Sequence, residues 1–231
     1  MKKYIISGWI LLTVMSVSCK KNNVKEIKEF RYEFGQSVDG WQGFFSDYPV
    51  GSESFYELEF AHSYLPAPLN TSLRALKISG NNHSDDLLSL IIRKIENLKP
   101  NTVYSVSFDI ELASNVTSNS PGVGGSPDLE LGVGGLSDLP KSNIDNSDYY
   151  RPNFTSLLQS RQSNEVLQSV GRIGVSSNHP SPFTLINRNN LSDPISLKTN
   201  SNGELWIMIG TDSGFEGITT LYYKSIKIRM G

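Results

Sequence analysis

Cysteine is almost missing from these 231 residues: Cys19 is the single one. No disulfide can close within the chain, and no thiolate cluster can hold zinc. Histidine is scarce too, with His62, His83 and His179 alone, and the chain has neither H-E-x-x-H nor G-x-S-x-G. Hydrolysis through a histidine base and His-ligated metal catalysis therefore have no motif to rest on. An excess of either charge is also absent, since 21 Lys+Arg are intermixed with 23 Asp+Glu for a net charge of −2. That mixture leaves no electrostatic footprint for nucleic acid. The apolar run Tyr4 to Val17 falls short of the roughly 20 residues a membrane-spanning helix needs.

That run has another use. Met1-Lys-Lys is a positive n-region, and the run ends in Ser16-Val17-Ser18-Cys19, the order of a secretory signal. The lone cysteine directly after a small residue resembles a bacterial lipobox, although Ser16 stands where that pattern prefers Leu. On this reading residues 1–19 form a lipoprotein signal peptide whose Cys19 becomes the lipidated first mature residue. Residues 20–29 (KKNNVKEIKE) form a charged tether. About 210 residues then remain, and with no Pro/Ser-rich linker dividing them, 30–231 reads as a single domain.

The body is organised around Leu73 to Ala113. Tyr104, Val106, Phe108, Ile110 and Leu112 alternate with Ser105, Ser107, Asp109 and Glu111, the period of a half-buried strand. Asn97-Leu-Lys-Pro-Asn101 breaks the chain before it, and Leu87 to Ile95 and Leu73 to Ser79 read as two further strands. Strands are also expected at Phe30 to Phe34, Phe55 to Phe60, Val166 to Ser176, Ile195 to Thr199 and Thr219 to Arg229. Leu205 to Ile209 is apolar on both parities, which suits a central strand. Gly210 to Gly217 reads as a turn. Ser114 to Asp148 is rich in Gly, Ser, Asn and Asp and carries Gly-Val-Gly-Gly at 122 to 125 and 132 to 135. Without a G-K-[ST] ending these are read as loop or tight strand, not as a phosphate cradle.

Three pieces carry a resemblance. Ala75-Leu-Lys-Ile-Ser-Gly80, then a polar loop and an apolar strand, then Leu98-Lys-Pro-Asn-Thr-Val-Tyr-Ser-Val-Ser-Phe-Asp-Ile110, resembles the middle of the jelly-roll carbohydrate-binding modules found beside xylanases and other glycanases. Phe34 to Trp41 (FGQSVDGW) is similar to the family's opening and Leu221 to Ile228 (LYYKSIKI) to its closing strand. The resemblance implies an all-β, galactose-binding-like jelly-roll β-sandwich of two antiparallel sheets. It also implies a carbohydrate ligand, and a structural calcium between the opening turn and the last strand. Two departures stand against the family pattern: Lys224-Ser225 replaces the usual aspartates near that calcium, and no Trp follows the K-I-S-G strand.

For sugar binding, aromatic faces stack on a pyranose while polar side chains bond its hydroxyls. Trp41, Tyr149, Tyr150 and Trp206 are the candidate platforms, and Asn82 in the Gly80 to Asp86 loop is a candidate polar partner. Trp41 and Trp206 read more readily as core aromatics than as platforms. Carboxylate pairs that a glycosidase would need exist at Glu57/Glu59 and Asp109/Glu111, which also read as solvated strand positions. Asp212 with Glu216, or Asp145 with Asp148, supplies oxygen atoms for a cation, but no metal or other cofactor is expected. The expectation is a non-catalytic carbohydrate-binding protein of the cell envelope, lipid-anchored to the outer membrane. The Lys20-Lys-Asn-Asn23 start favours its periplasmic side over the cell surface. Its partners would be carbohydrate or an envelope protein, with the membrane reached through the lipid; a structural or partner-binding lipoprotein is the alternative, and a glycoside-active enzyme the third.

Overall fold

A computed structural model describes residues 27–175 and 181–231. Cys19, most of the tether and His179 lie outside the described residues. Among them fifteen strands follow one another: β1 Lys28–Glu33, β2 Gln42–Ser46, β3 Tyr48–Pro49, β4 Glu59–Tyr64, β5 Arg74–Asn81, β6 Leu87–Ile95, β7 Val103–Ser114, β8 Glu130–Leu136, β9 Ser142–Ile144, β10 Tyr149–Pro152, β11 Leu167–Arg172, β12 Thr184–Asn189, β13 Ile195–Lys198, β14 Leu205–Ser213 and β15 Ile218–Met230. All pairings are antiparallel.

Two sheets face each other. One has five strands in the order β11-β8-β14-β6-β2; the other has seven, with β12 and β13 end to end against β7, then β15, then β5 and β1 against β15, and β4 outside β5. From β5 to β8 and from β13 to β15 each strand lies in the opposite sheet from the one before it. That alternation makes the body an all-β jelly-roll sandwich.

The alternation in β7 sets the interior. Tyr104, Val106, Phe108, Ile110 and Leu112 all point inward and are buried. They meet Ile91 and Ile95 of β6 and Leu205, Ile207 and Ile209 of β14 across the sandwich. Each such side chain contributes about 1.5–3 kcal/mol on burial. Strand β15 keeps its apolar residues inward despite a parity change: a bulge between Tyr223 and Ser225 moves the inward set from Leu221 and Tyr223 to Ile226, Ile228 and Met230. Bulges exist to make such adjustments. Strand β14 is central, between β8 and β6, and the outward Met208 and Trp206 join a second apolar cluster.

Three expectations fail here. Phe55 to Phe60 is mostly a compact turn, with Tyr56 N donating to Ser52 O at 2.8 Å and Leu58 N to Glu53 O at 3.1 Å. Its alternation reflects Tyr56 and Leu58 tucking under Tyr48 and Leu87 rather than a ladder. Gly210 to Ser213 continues β14 instead of turning, because Gly210 lies against the β6 backbone so closely that a Cβ would fall 2.1 Å from Ser89 O. Finally, Lys28 and Glu29, placed at the end of the tether, already pair with Met230 and Arg229 in β1. Strands β9, β10 and β12 fall in stretches without alternation; β3, β10 and β9 form a small third sheet beside the sandwich.

Candidate functional site

The outward face of the five-stranded sheet is roofed by the segment that joins β10 to β11. Phe44, Leu88, Leu90, Ile92, Leu167 and Met208 stand on that face, and Leu158, Phe154 and Val166 of the segment press onto them. The second Gly-Val-Gly-Gly explains the close approach. A Cβ on Gly134 would lie 1.8 Å from Val166 O, and one on Gly132 would meet the Leu158 side chain at 2.4 Å. Bare backbone in β8 lets the segment lie directly on the sheet.

Polar groups begin where this apolar cover stops. Asp47 follows β2, Asp86 precedes β6 and Asp212 lies near the end of β14, so three neighbouring strand ends bring three carboxylates together. The β9–β10 hairpin adds Arg151, whose Nη1 lies 2.9 Å from Asp47 Oδ1 and 3.3 Å from Asp86 Oδ2. Its Nε bonds Asp145 Oδ2 at 3.2 Å, and its guanidinium lies 4.9 Å over the Tyr149 ring. Asp47, Asp86, Arg151 and Asp212, with Phe154 and Gln159, line a cleft of about 350 Å³. On the far side of Gln159 and Asp212 lies a second cleft of about 340 Å³, walled by Asp85, Asp128, Glu130 and Arg161. Gln159 divides the two, its Nε2 donating to Asp85 O at 2.7 Å.

The carboxylates perturb one another. Burial, then the charges of Asp47 and Asp212, push the Asp86 carboxyl up to about 7 against the opposing pull of Arg151. Asp47 is raised by burial and drawn back by Arg151. Asp212 is raised mainly by burial, opposed by the Ser156 hydroxyl and the Gln159 backbone; its Oδ1 is buried without a hydrogen-bond partner among the described residues. A shared acidic pocket with too few donors results. Beside it runs an aromatic series: Tyr150 packs on Tyr48 with centroids 4.9 Å apart, Tyr48 on Tyr56 at 5.7 Å, and the exposed Phe55 stacks on His83 at 4.1 Å. Burial, the Glu53 charge and Tyr150 raise the Tyr48 hydroxyl to about 12.

The residues expected from the sequence are not brought together. Trp41 is core, 1% exposed, with its ring edge-on to Tyr32 and Phe34, so it offers no face to a ligand. Asn82 is equally buried and donates through Nδ2 to the carbonyls of Ser213 and Phe215, fixing the turn before β15. Trp206 is half-buried over the outward cluster, six residues or roughly 20 Å of strand from Asp212. Tyr149 and Tyr150 do lie at the cleft's edge, Tyr149 beneath Arg151 and Tyr150 in the aromatic series.

Asp47, Arg151 and Gln159 were not anticipated, and Asp86 was expected only as part of the polar Gly80 to Asp86 loop. Asp212 was seen only as an oxygen donor for a cation. Among the described residues no group of three or more His, Cys, Asp or Glu side chains is arranged to hold a metal ion. The two acidic pairs are accounted for differently. Asp109 and Glu111 face outward from β7, with Glu111 bonded to Lys224 at 2.7 Å and Asp109 to Asn187 at 2.8 Å. Glu57 sits in the turn at φ 49° and bonds Asn81.

No family model matches the chain, and no curated protein matches it. Among solved structures it is similar to a xylan-binding domain of family CBM22 from Paenibacillus barcinonensis Xyn10C, at 12% identity over 87% of this chain and 92% of that one, with a TM-score of 0.39. The mannan-recognising module TmCBM27 is 10% identical over 89% and 99%, with a TM-score of 0.43. The xylan-binding module CBM15 is 11% identical over 89% and 98%, with a TM-score of 0.36. At such distances the fold class stands on the strand order itself: these neighbours are jelly-roll carbohydrate-binding modules, and this chain is an all-β sandwich.

Proposed function

We propose that the body is a non-catalytic carbohydrate-binding β-sandwich whose ligand lies in the cleft between Arg151 and Gln159. The supporting observation is the convergence of Asp47, Asp86, Arg151, Gln159 and Asp212 from separate parts of the chain onto one concavity. Carboxylates and a guanidinium bond sugar hydroxyls as acceptors and donors, and the Phe154 ring beside them offers an apolar face. Cys19 carries lipid in this reading and holds the protein to the outer membrane, on its periplasmic side, with the tether leading to the body.

A glycan array and affinity gels test it, using the full chain carrying Cys19→Ser beside Arg151→Gln and Asp86→Asn. Binding that is lost in a folded cleft variant supports the reading. Absence of binding to any glycan by the folded protein sinks it and directs the search to envelope protein partners. Metabolic labelling with a fatty acid tests the anchor, which fails if Cys19→Ser takes up as much label as the unaltered chain.

A glycoside-active enzyme is the second reading, favoured by one observation: Asp86, pushed up to about 7, is a carboxylic acid able to give a proton near neutral pH with other carboxylates beside it. Release of reducing ends from a bound glycan, lost in Asp86→Asn, would replace binding with catalysis.

A further inference from the structure

We propose that the glycan this cleft accepts bears a positively charged amine, an amino sugar left unacetylated, with its ammonium against Asp86 and Asp212. The inference rests on the carbohydrate reading above and names the ligand class.

Charge around the cleft is unbalanced. Among the described residues Arg151 is the one cation lining it, and its hydrogen bonds go to Asp47, Asp86 and Asp145. None reaches Asp212. That side chain is 8% exposed, leaves β14 on the roofed face, lines both clefts and has an Oδ1 without a partner. A buried carboxylate oxygen without a donor carries the full cost of its lost hydration. The second cleft does not offset it: its wall carries Asp85, Asp128 and Glu130 against Arg161, and Arg172 pairs with Asp128 and Glu130 at 3.7 and 3.2 Å.

The missing partner is therefore a donor with positive charge. An ammonium offers three donors and no acceptor, and its bonds to carboxylates are charge-assisted. A sugar hydroxyl supplies one donor and leaves the charge; an N-acetyl group removes the charge altogether. A uronic acid or sulfated sugar would be repelled. A divalent cation asks for several acidic side chains whose oxygens converge on one point, an arrangement absent among the described residues.

Access to Asp212 runs past Gln159, whose side chain is exposed and tied by its bond to Asp85 O. Asp212 lines the clefts on both sides of Gln159. Asp86, 40% exposed, is the first contact.

The test is calorimetric titration of the full chain (Cys19→Ser) at pH 6.5 with glucosamine hexamer, N-acetylglucosamine hexamer, xylohexaose and a galacturonate hexamer. The glucosamine hexamer should bind about tenfold or more tighter than the N-acetylated and neutral ones, and added salt should weaken it. Asp212→Asn and Asp86→Asn should each erase most of that preference. Thermal melts establish that each variant is folded; if Asp212→Asn does not fold, Asp86→Asn decides. Equal affinity for amine and neutral hexamers overturns the inference while leaving the carbohydrate reading intact, and so does a preference that survives both substitutions. Binding of no hexamer and no arrayed glycan overturns both. Calcium that displaces the glucosamine hexamer from the cleft, and loses its own binding in Asp212→Asn, overturns it in favour of a cation site.

Discussion

Arg151 Nη1 lies 2.9 Å from Asp47 Oδ1, a contact between residues 104 positions apart that ties the β9–β10 hairpin to the end of β2. The Asp47 side chain is only 12% exposed, so its charge depends on this partner.

Arg151→Gln should therefore destabilise the body by about 1–3 kcal/mol at neutral pH, since a buried carboxylate is left short of a donor. Melting temperature should drop by roughly 2–12 °C. The loss should shrink in acid as Asp47 and Asp86 take up protons. Melts at pH 4 and pH 7.5 check this, and an equal loss at both would refute the electrostatic account.

Asp86 should make the folded protein more stable in acid than at alkaline pH. A carboxyl raised to about 7 holds its proton longer in the folded chain than in the unfolded one. Its favourable share of stability is complete below the ordinary carboxyl range near 4 and is lost as pH rises through about 7. Asp47 and Asp212 are raised too and act in the same sense. The Asp86 shift alone corresponds to ~4 kcal/mol unscreened. With the side chain 40% exposed, screening leaves ~1–2 kcal/mol. Asp86→Asn should raise the melting temperature at pH 8 and change it little at pH 4.

Gly134→Ala should cost about 1–3 kcal/mol by forcing the β10–β11 segment off the sheet. Its Cβ would fall 1.8 Å from the Val166 carbonyl oxygen. Gly35→Ala, where nothing lies within 4 Å, is the control and should be near neutral. Denaturant melts of both compare the two.

Asn190 completes the ladder where β12 ends and β13 has not begun. Its Oδ1 accepts from Phe108 N at 2.6 Å and its Nδ2 donates to Val106 O at 3.3 Å and Gln168 Oε1 at 2.8 Å. Asn190→Ala leaves two buried backbone groups of β7 without these partners and should cost about 2–4 kcal/mol. Hydrogen exchange should quicken at Phe108 more than at Ile110.

Trp41→Ala should cost about 3–5 kcal/mol as a core truncation. Ligand affinity per folded molecule should stay unchanged, because Trp41 lies between the sheets and not in the cleft. A loss of affinity at temperatures where the variant is folded would contradict that placement.

The sheet and its interior were legible because a half-buried strand repeats every two residues: β6 was read at its observed bounds, and every apolar residue of the β7 alternation faces inward. Within the Phe34 to Trp41 piece, Asp39 and Gly40 both take positive φ, the geometry of a turn. Strand β10 was not legible, as Tyr-Tyr-Arg-Pro has no alternation and pairs only with short strands.

Sequence alone determined the sandwich, because burial parity is a property of neighbours along the chain. The cleft was decided by tertiary structure alone. Asp47, Asp86, Arg151 and Asp212 each look like ordinary loop or strand-end charges, and only the crossing of β2, β6, β10 and β14 sets them side by side. The same packing turned Trp41 from a candidate platform into core: an indole's role depends on which side of the sheet its neighbours close over, and that is settled by contacts far apart in the chain.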